Sequence, residues 1–187
     1  CEKLDINVWE LVKLANHHPR VNILQPGPGV GGHCIAVDPW FIVEAAPDET
    51  RVIRTAREVN DGKPKYVLDK IAAAVADKAS GKGRPVVGLL GLAFKPDVDD
   101  LRESPALQIA EAVAARGDCD VVVSEPHIEH LPATLAKGAG VRLTADMHEA
   151  VREADVVVML VNHRLYQTIA RDELAGKTVI DTRGIWS

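Results

Sequence analysis

The run Val86-Val-Gly-Leu-Leu-Gly-Leu92 is apolar from end to end and constrains the fold more than any other stretch. A strand with one wet face alternates apolar and polar residues, whereas a continuous run reads as a strand covered on both faces. Shorter strand-like runs follow at Val121 to Val123, Val141 to Leu143, Ala154 to Val161 and Thr178 to Asp181. Helical segments lie between them. Ser104-Pro105, a serine cap and a first-turn proline, opens one to about Ala115, and Asp146 to Glu153 forms another. Strands alternating with helices imply a parallel sheet with right-handed crossovers. Residues 84–187 therefore read as a Rossmann-like, doubly wound domain, whose ligands belong at the carboxyl ends of the strands.

Residues 1–80 have a different rhythm and read as an all-helical domain, so the fold class is α/β with a helical domain first. Val8, Leu11, Val12 and Ala15 fall at helical spacing behind an Asn7–Glu10 capping pattern. Pro19 ends that helix near His17 or His18. A loop from Arg20 to Val37 follows. Asp38-Pro39 reads as cap and first position of a helix to about Ala46, Thr50 to Asn60 as another, and Pro64 as the start of a third to about Lys78. Ser80 to Arg84 has linker composition. Cys1 to Ile6 begins without methionine and enters mid-element, so the chain reads as part of a longer protein.

Composition narrows the function. The 187 residues are 47% hydrophobic and 26% charged, as in a soluble globular protein. Aromatics are 4% and the net charge is −5, which argues against a nucleic-acid surface. No apolar stretch has membrane length. Three widely spaced cysteines give no disulfide framework and suit a reducing cytoplasm. Cys119 reads as a packed strand-edge residue, and Trp9, Trp40 and Trp186 as packing anchors. His127, His130, His148 and His163 read as surface or loop residues. The spacing of His17, His18, His33 and Cys34 fits no standard zinc set, so no metal is expected.

The block Gly27-Pro-Gly-Val-Gly-Gly-His-Cys34-Ile-Ala-Val-Asp38 carries the chemistry. Glycines let backbone and ligand approach closely. A thiol behind them can act as a nucleophile, and a carboxylate four positions on can handle a proton or a water. The plain alternative is a tight turn before a buried cysteine, since free cysteine is among the most buried residue types. A reactive thiolate needs a positive neighbour or a helix terminus, and His33 and the helix start at Asp38 are the candidates. In the second half, Gly88-Leu-Leu-Gly91-Leu-Ala-Phe94-Lys95 does not match the dinucleotide fingerprint G-x-G-x-x-G. The loop offers Lys95 and Arg102 instead, cations that suit a phosphate beside a helix start or that pair with Asp97, Asp99, Asp100 or Glu103.

Three blocks together resemble the UDP-glucose/GDP-mannose dehydrogenase family over the whole chain, as its central and C-terminal domains. They are Gly29-Val-Gly-Gly-His-Cys34-Ile-Ala-Val-Asp38-Pro, Gly91-Leu-Ala-Phe-Lys95-Pro-Asp-Val-Asp-Asp-Leu-Arg102-Glu-Ser-Pro105, and Val179-Ile-Asp-Thr-Arg183-Gly. His18-Pro-Arg-Val-Asn22 followed by Gln25 to Phe41 is similar to the UDP-N-acetyl-D-mannosamine branch. UDP-glucose members usually carry serine before the cysteine and lysine before the aspartate. His33 and Val37 stand there, which favours an N-acetylated hexosamine.

The resemblance implies oxidation of C6 of a UDP-N-acetylhexosamine to the acid, with two NAD reduced per sugar, as a precursor for surface polysaccharide. It implies Cys34 as the covalent nucleophile and Asp38 as the residue assisting the hydrolytic water. It implies Lys95, with Phe94, at the UDP moiety and Arg183 near the nucleotide-sugar. Gly29, Gly31 and Gly32 would shape the sugar pocket, Arg20 would be presented to the sugar by a partner subunit, and Arg102 would reach the NAD. It also implies a homodimer through residues 1–80. The family's N-terminal NAD-binding domain is absent from the sequence, and so are the lysine and asparagine that members place upstream on the central helix. A second reading follows: this stretch alone dimerises and holds UDP-sugar without turning it over.

Overall fold

The computed structural model describes residues 1–80 and 83–186. Within them, five parallel strands form one sheet in the order β3-β2-β1-β4-β5: β1 Val86–Leu90, β2 Asp120–Ser124, β3 Val141–Thr144, β4 Val156–Met159 and β5 Thr178–Asp181. This is the order expected of a Rossmann-like sheet, with the switch point between β1 and β4.

The all-apolar reading of β1 has a direct physical basis. Val87 and Leu89 share one core with Val121, Val123, Val156 and Val158, while Leu90, Val122, Val157 and Met159 lie in a second core on the opposite face. Helix α5 (Pro105–Arg116) covers the first face through Ile109, Ala110 and Val113. Helix α6 (Met147–Glu153) covers the second through Ala150 and Val151. A Cβ at Gly88 would stand 2.9 Å from that of Ala154 and 3.0 Å from the Ala150 carbonyl, so glycine lets α6 approach β1. Ser104 caps α5 by accepting the Leu107 N–H at 3.3 Å, and Asp146 caps α6 by accepting the His148 N–H at 2.9 Å.

Before the sheet come α1 (Val8–Ala15), α2 (Asp38–Ala45), α3 (Arg51–Asp61) and α4 (Lys63–Ala79). Asn7 caps α1 by accepting the Trp9 N–H at 2.9 Å. Val67, Ile71, Ala74 and Val75 of α4 belong to the first core, so α4 lies against the sheet beside α5. The expected linker includes residues 81 and 82, which lie outside the described residues.

Strand β4 is shorter than the Ala154–Val161 read from the sequence, Asp146 caps α6 instead of starting it, and two further boundaries differ beside the site. Asp38 is the first residue of α2, not its cap, because its N–H already bonds the Cys34 carbonyl at 2.8 Å and starts the helical ladder one residue early. Strand β1 stops at Leu90 because a carboxylate, Glu125, takes the N–H groups of Leu92 and Ala93 at 2.7 and 3.1 Å.

Candidate functional site

Strand register assembles the site. Leu90 pairs with Ser124 and with Met159, and Met159 pairs with Asp181. The residues just past these positions therefore emerge together at the carboxyl edge of the sheet: 91–95 after β1, Glu125 after β2, 160–163 after β4 and 182–183 after β5. Phe94, Lys95, Leu160, Val161 and Arg183 line one crevice there, closed from the other side by Pro28 and Gly29. Its free volume is about 10 Å³, room for a single water, so it is a seam between the two halves of the chain.

The glycine loop is laid closely on this edge. The Gly32 N–H donates to the Arg102 carbonyl at 3.1 Å, and a Cβ on Gly32 (φ +89°) would stand 2.9 Å from the Phe94 ring. A Cβ on Gly31 would collide with the Glu103 carbonyl oxygen, and one on Gly29 would press on Pro105 at 3.0 Å. Gly27 leaves space for the Arg183 guanidinium. Asn60 of α3 accepts the Val30 N–H at 2.9 Å and ties the loop to the helical half.

Cys34 is exposed at the end of this loop, which rules out the buried-cysteine alternative. Its carbonyl accepts the N–H groups of Val37 and Asp38 at 3.0 and 2.8 Å. This turn places Cys34 and exposed Asp38 four residues apart on one side of the start of α2. Positive charge is also at hand. Arg102 donates to Asp100 through Nε at 3.0 Å and Nη2 at 2.6 Å. That pairing, with a smaller contribution from Cys34, raises the Arg102 pKa. The Arg102 bonds hold Asp100 down to about 2, with His33 adding to the effect. The expected pairing of Arg102 with a loop carboxylate is thus present, while its guanidinium still faces solvent.

Lys95 makes no ion pair among the described residues; its Nζ stands 5.4 Å from the Phe94 ring centroid. Arg183 donates from Nε to Asn162 Oδ1 at 2.9 Å, and Asp181 accepts the N–H groups of Arg183 and Gly184 at 2.9 and 2.7 Å. Burial pushes the Arg183 pKa down and the Asp181 charge opposes this. Arg20 joins none of these contacts. It lies exposed on the loop after α1, where its N–H donates to His18 Nδ1 at 3.2 Å.

Several residues that hold the site carried no motif in the sequence. Asn60 and Asn162 act by bonds to Val30 and Arg183, 30 and 21 residues away. His163 is a correction: read as a surface or loop residue, it is fully buried and bonded through Nε2 to Glu125, also fully buried, at 3.1 Å. The other three histidines are exposed or half-buried. Asp97, His127 and His163 offer ligand atoms within 4.8 Å of one another, a group that sequence spacing did not suggest for a metal. Each of the inner two is already engaged: His163 Nδ1 accepts the Asp97 N–H at 2.9 Å, and Asp97 Oδ2 accepts from Arg164 Nε at 2.9 Å.

A further concavity of about 640 Å³ lies between Glu2, Asn7, Lys63, Lys70 and Asp181, beyond Gly27 from the thiol. It is much larger than the seam, but Cys34, Asp38 and Lys95 do not line it, so volume alone does not mark the chemistry.

An exposed thiol ends a glycine loop that lies on the carboxyl edge of a doubly wound sheet, where Lys95 and Arg183 line the seam between loop and sheet, in an α/β protein of Rossmann-like type. Residues 1–62 match the central domain of the UDP-glucose/GDP-mannose dehydrogenase family, and residues 88–187 match the UDP binding domain of the same family. The chain belongs to this family of dehydrogenases. It is 54% identical over its whole length to an NDP-N-acetyl-D-galactosaminuronic acid dehydrogenase of Ralstonia nicotianae, covering 42% of that protein. It is 52% identical to the UDP-N-acetyl-D-mannosamine dehydrogenase of Escherichia coli K12, covering 44% of it. Among solved structures, a UDP-N-acetyl-mannosamine dehydrogenase from Staphylococcus aureus superposes with TM-score 0.78 at 37% identity, over 99% of this chain and 42% of that one. The chain thus spans less than half the length of these relatives. No helix among the described residues is long and apolar enough to cross a membrane.

Proposed function

We propose that this chain is the thiol-bearing and nucleotide-sugar-binding part of an NAD-dependent dehydrogenase that oxidises C6 of UDP-N-acetyl-D-mannosamine to the acid. The observation that carries the reading is the exposed Cys34, one helical turn before Asp38, on a loop packed against Phe94 and the Lys95–Arg183 seam. Lys95 and Arg183 supply the charge for a diphosphate, and Phe94 a face for the base. A nucleotide needs far more room than one water, so it enters where the glycine loop and the Phe94–Lys95 turn part.

NAD, when bound, takes up the hydride that C6 loses in each of two oxidations. The first β-turn of the sheet domain does not suit that dinucleotide, because Glu125 already accepts the N–H groups of Leu92 and Ala93 that would face its phosphates. Exposed Arg102 is the residue this chain offers toward it. C6 first gives up a hydride while its hydroxyl proton passes to water, which leaves an aldehyde. The Cys34 thiolate then bonds that carbon, and loss of a second hydride from the adduct leaves a thioester. Asp38 takes a proton from water as its oxygen bonds the thioester carbon; the C–S bond breaks, the thiolate is restored and the carboxylate leaves. The reading includes a homodimer through residues 1–80, with Arg20 presented to the partner's sugar, and a cytoplasmic enzyme supplying polysaccharide precursors.

The test is turnover by the complete enzyme that carries this chain, with NADH formation and acid product both measured on UDP-N-acetylmannosamine, UDP-N-acetylglucosamine and UDP-glucose. The mannosamine sugar is expected to be preferred, and Cys34→Ser to abolish acid formation. Full acid formation by Cys34→Ser sinks the thioester role. The Ralstonia relative at 54% identity favours a second reading, an N-acetylgalactosamine-type sugar, so UDP-N-acetylgalactosamine belongs in the same panel. A binding and assembly module without turnover is the outcome if no sugar is oxidised.

A further inference from the structure

The loop from Gly91 to Ser104 is held by two buried side chains that the chemistry above does not use. Glu125 Oε2 accepts the N–H groups of Leu92 at 2.7 Å and Ala93 at 3.1 Å, and its Oε1 accepts the N–H of His127 at 3.1 Å. His163 Nδ1 accepts the N–H of Asp97 at 2.9 Å. An accepting Nδ1 puts the imidazole proton on Nε2, which donates to Glu125 at 3.1 Å. Phe94 and Lys95 are thus bracketed. The backbone is fixed on one side by Glu125, on the other by His163, and the two side chains are bonded to each other.

A core alone does not call for this arrangement. A carboxylate with no exposure costs several kcal/mol to desolvate, and an apolar residue would pack the same space more cheaply. The bonds go to loop N–H groups, not to strand partners. Burial opposes ionisation of Glu125, but the hydrogen bonds from His163 and from the backbone N–H groups outweigh it, so the carboxyl stays below its usual range. Asp97 sits at φ +59°, a strained conformation for a residue with a side chain, and Arg164 also holds it, donating through N–H to Oδ1 at 3.1 Å. Tyr166 packs edge-on to His163 and fixes the ring from the other side.

We infer that Glu125 and His163 are positioning residues for the nucleotide subsite: together they set the backbone from Leu92 to Asp97 and so aim Phe94 and Lys95 at the UDP moiety. This rests on the UDP reading above. Neither side chain touches the ligand. Their effect passes through Phe94, which lies on Gly32, and through Lys95 at the seam.

The experiment titrates the protein with UDP by calorimetry, alongside thermal unfolding, for the unsubstituted chain and for His163→Leu, His163→Asn and His163→Gln. Asparagine places an oxygen near the Nδ1 position and keeps the acceptor for Asp97; glutamine reaches the Nε2 position and keeps only the bond to Glu125. His163→Leu and His163→Gln are expected to bind UDP about tenfold more weakly, the size of one lost hydrogen bond, and His163→Asn within about threefold of the original. The asparagine and glutamine variants are expected to unfold at similar temperatures, so stability does not account for the split. UDP binding that is equal in all four overturns the clamp and leaves the UDP reading standing. Should His163→Leu not fold, the asparagine and glutamine pair decides alone, and equal affinity in that pair overturns the inference. No UDP binding by the unsubstituted chain overturns the UDP reading and the clamp with it.

Discussion

Helices α3 and α5 are nearly equal in length, yet they place their apolar residues oppositely. Helix α5 buries Ala106, Ile109, Ala110 and Val113 against the sheet. Helix α3 buries Arg57 and leaves Val52 at 81% and Val59 at 72% exposure, seven residues apart on one face. Arg57 pairs with Asp61 through Nη2, and its buried Nε has no partner among the described residues. The neighbouring α2 adds exposed Phe41 and Ile42. Exposed apolar groups on adjoining helices are the kind of surface that the proposed homodimer would cover. The sheet's two cores are closed by α5 and α6 with α4, whereas α2 and α3, beside the thiol loop, leave apolar side chains exposed, which fits the proposed homodimer.

The sharpest way to break this contrast is a pair of truncations. Ile109→Ala removes a fully buried side chain and is expected to destabilise the chain by about 2–5 kcal/mol in urea unfolding. Val52→Ser with Val59→Ser is expected to change unfolding of the monomer by no more than about 0.5 kcal/mol per site, as for surface positions. The same double variant should weaken self-association in sedimentation. A double variant that loses as much monomer stability as Ile109→Ala would show that α3 already has its packing partner within the chain.

Much of this molecule was legible in its sequence, and the reasons are local. All five strands and the helices α1 to α6 carry signals a few residues long: apolar runs, the Asn7 and Ser104 caps, and prolines at helix starts. Cys34 was legible because glycines precede it and Asp38 follows at one helical turn. What stayed hidden depends on residues brought together from afar. Glu125 reads as an ordinary acid before a proline, and His163 as a loop histidine, until the register of β1, β2 and β4 sets them side by side. The end of β1 at Leu90 has the same origin, since no residue near Leu92 announces that a distant carboxylate will take its N–H.

The join between the halves gives a smaller effect. A methyl on Gly31 would meet the Glu103 carbonyl and Pro105, both parts of the opposite half that cannot swing aside. Gly31→Ala is expected to cost about 1–3 kcal/mol, as overpacking does, and to lift the Cys34 loop off the sheet edge. Gly117→Ala is the control: nothing lies near that Cβ, and only its φ of +67° is strained, for about 1 kcal/mol. The reading predicts that Gly31→Ala, not Gly117→Ala, weakens UDP binding. Equal binding by both variants would mean the loop is not seated where the seam forms.

The smallest predicted effect compares two of the three thiols, Cys34 and Cys119. Cys34 is exposed on the helical half, and Cys119 is buried at the edge of β2. Burial, with the Asp118 charge beside it, pushes the Cys119 thiol up to about 11. The folded pKa therefore lies above the unfolded one, so the neutral thiol favours the folded state. That contribution is complete below the unfolded value of about 8.5 and is lost as pH rises toward 11. Urea unfolding followed from neutral pH to about pH 11 should show stability falling at the alkaline end, and Cys119→Ala should flatten the fall after a small loss at neutral pH from the missing sulfur. An unchanged alkaline slope in Cys119→Ala would mean that this thiol ionises as easily folded as unfolded. A thiol reagent gives an independent check: it should label exposed Cys1 and Cys34 in the native protein and reach buried Cys119 only on unfolding.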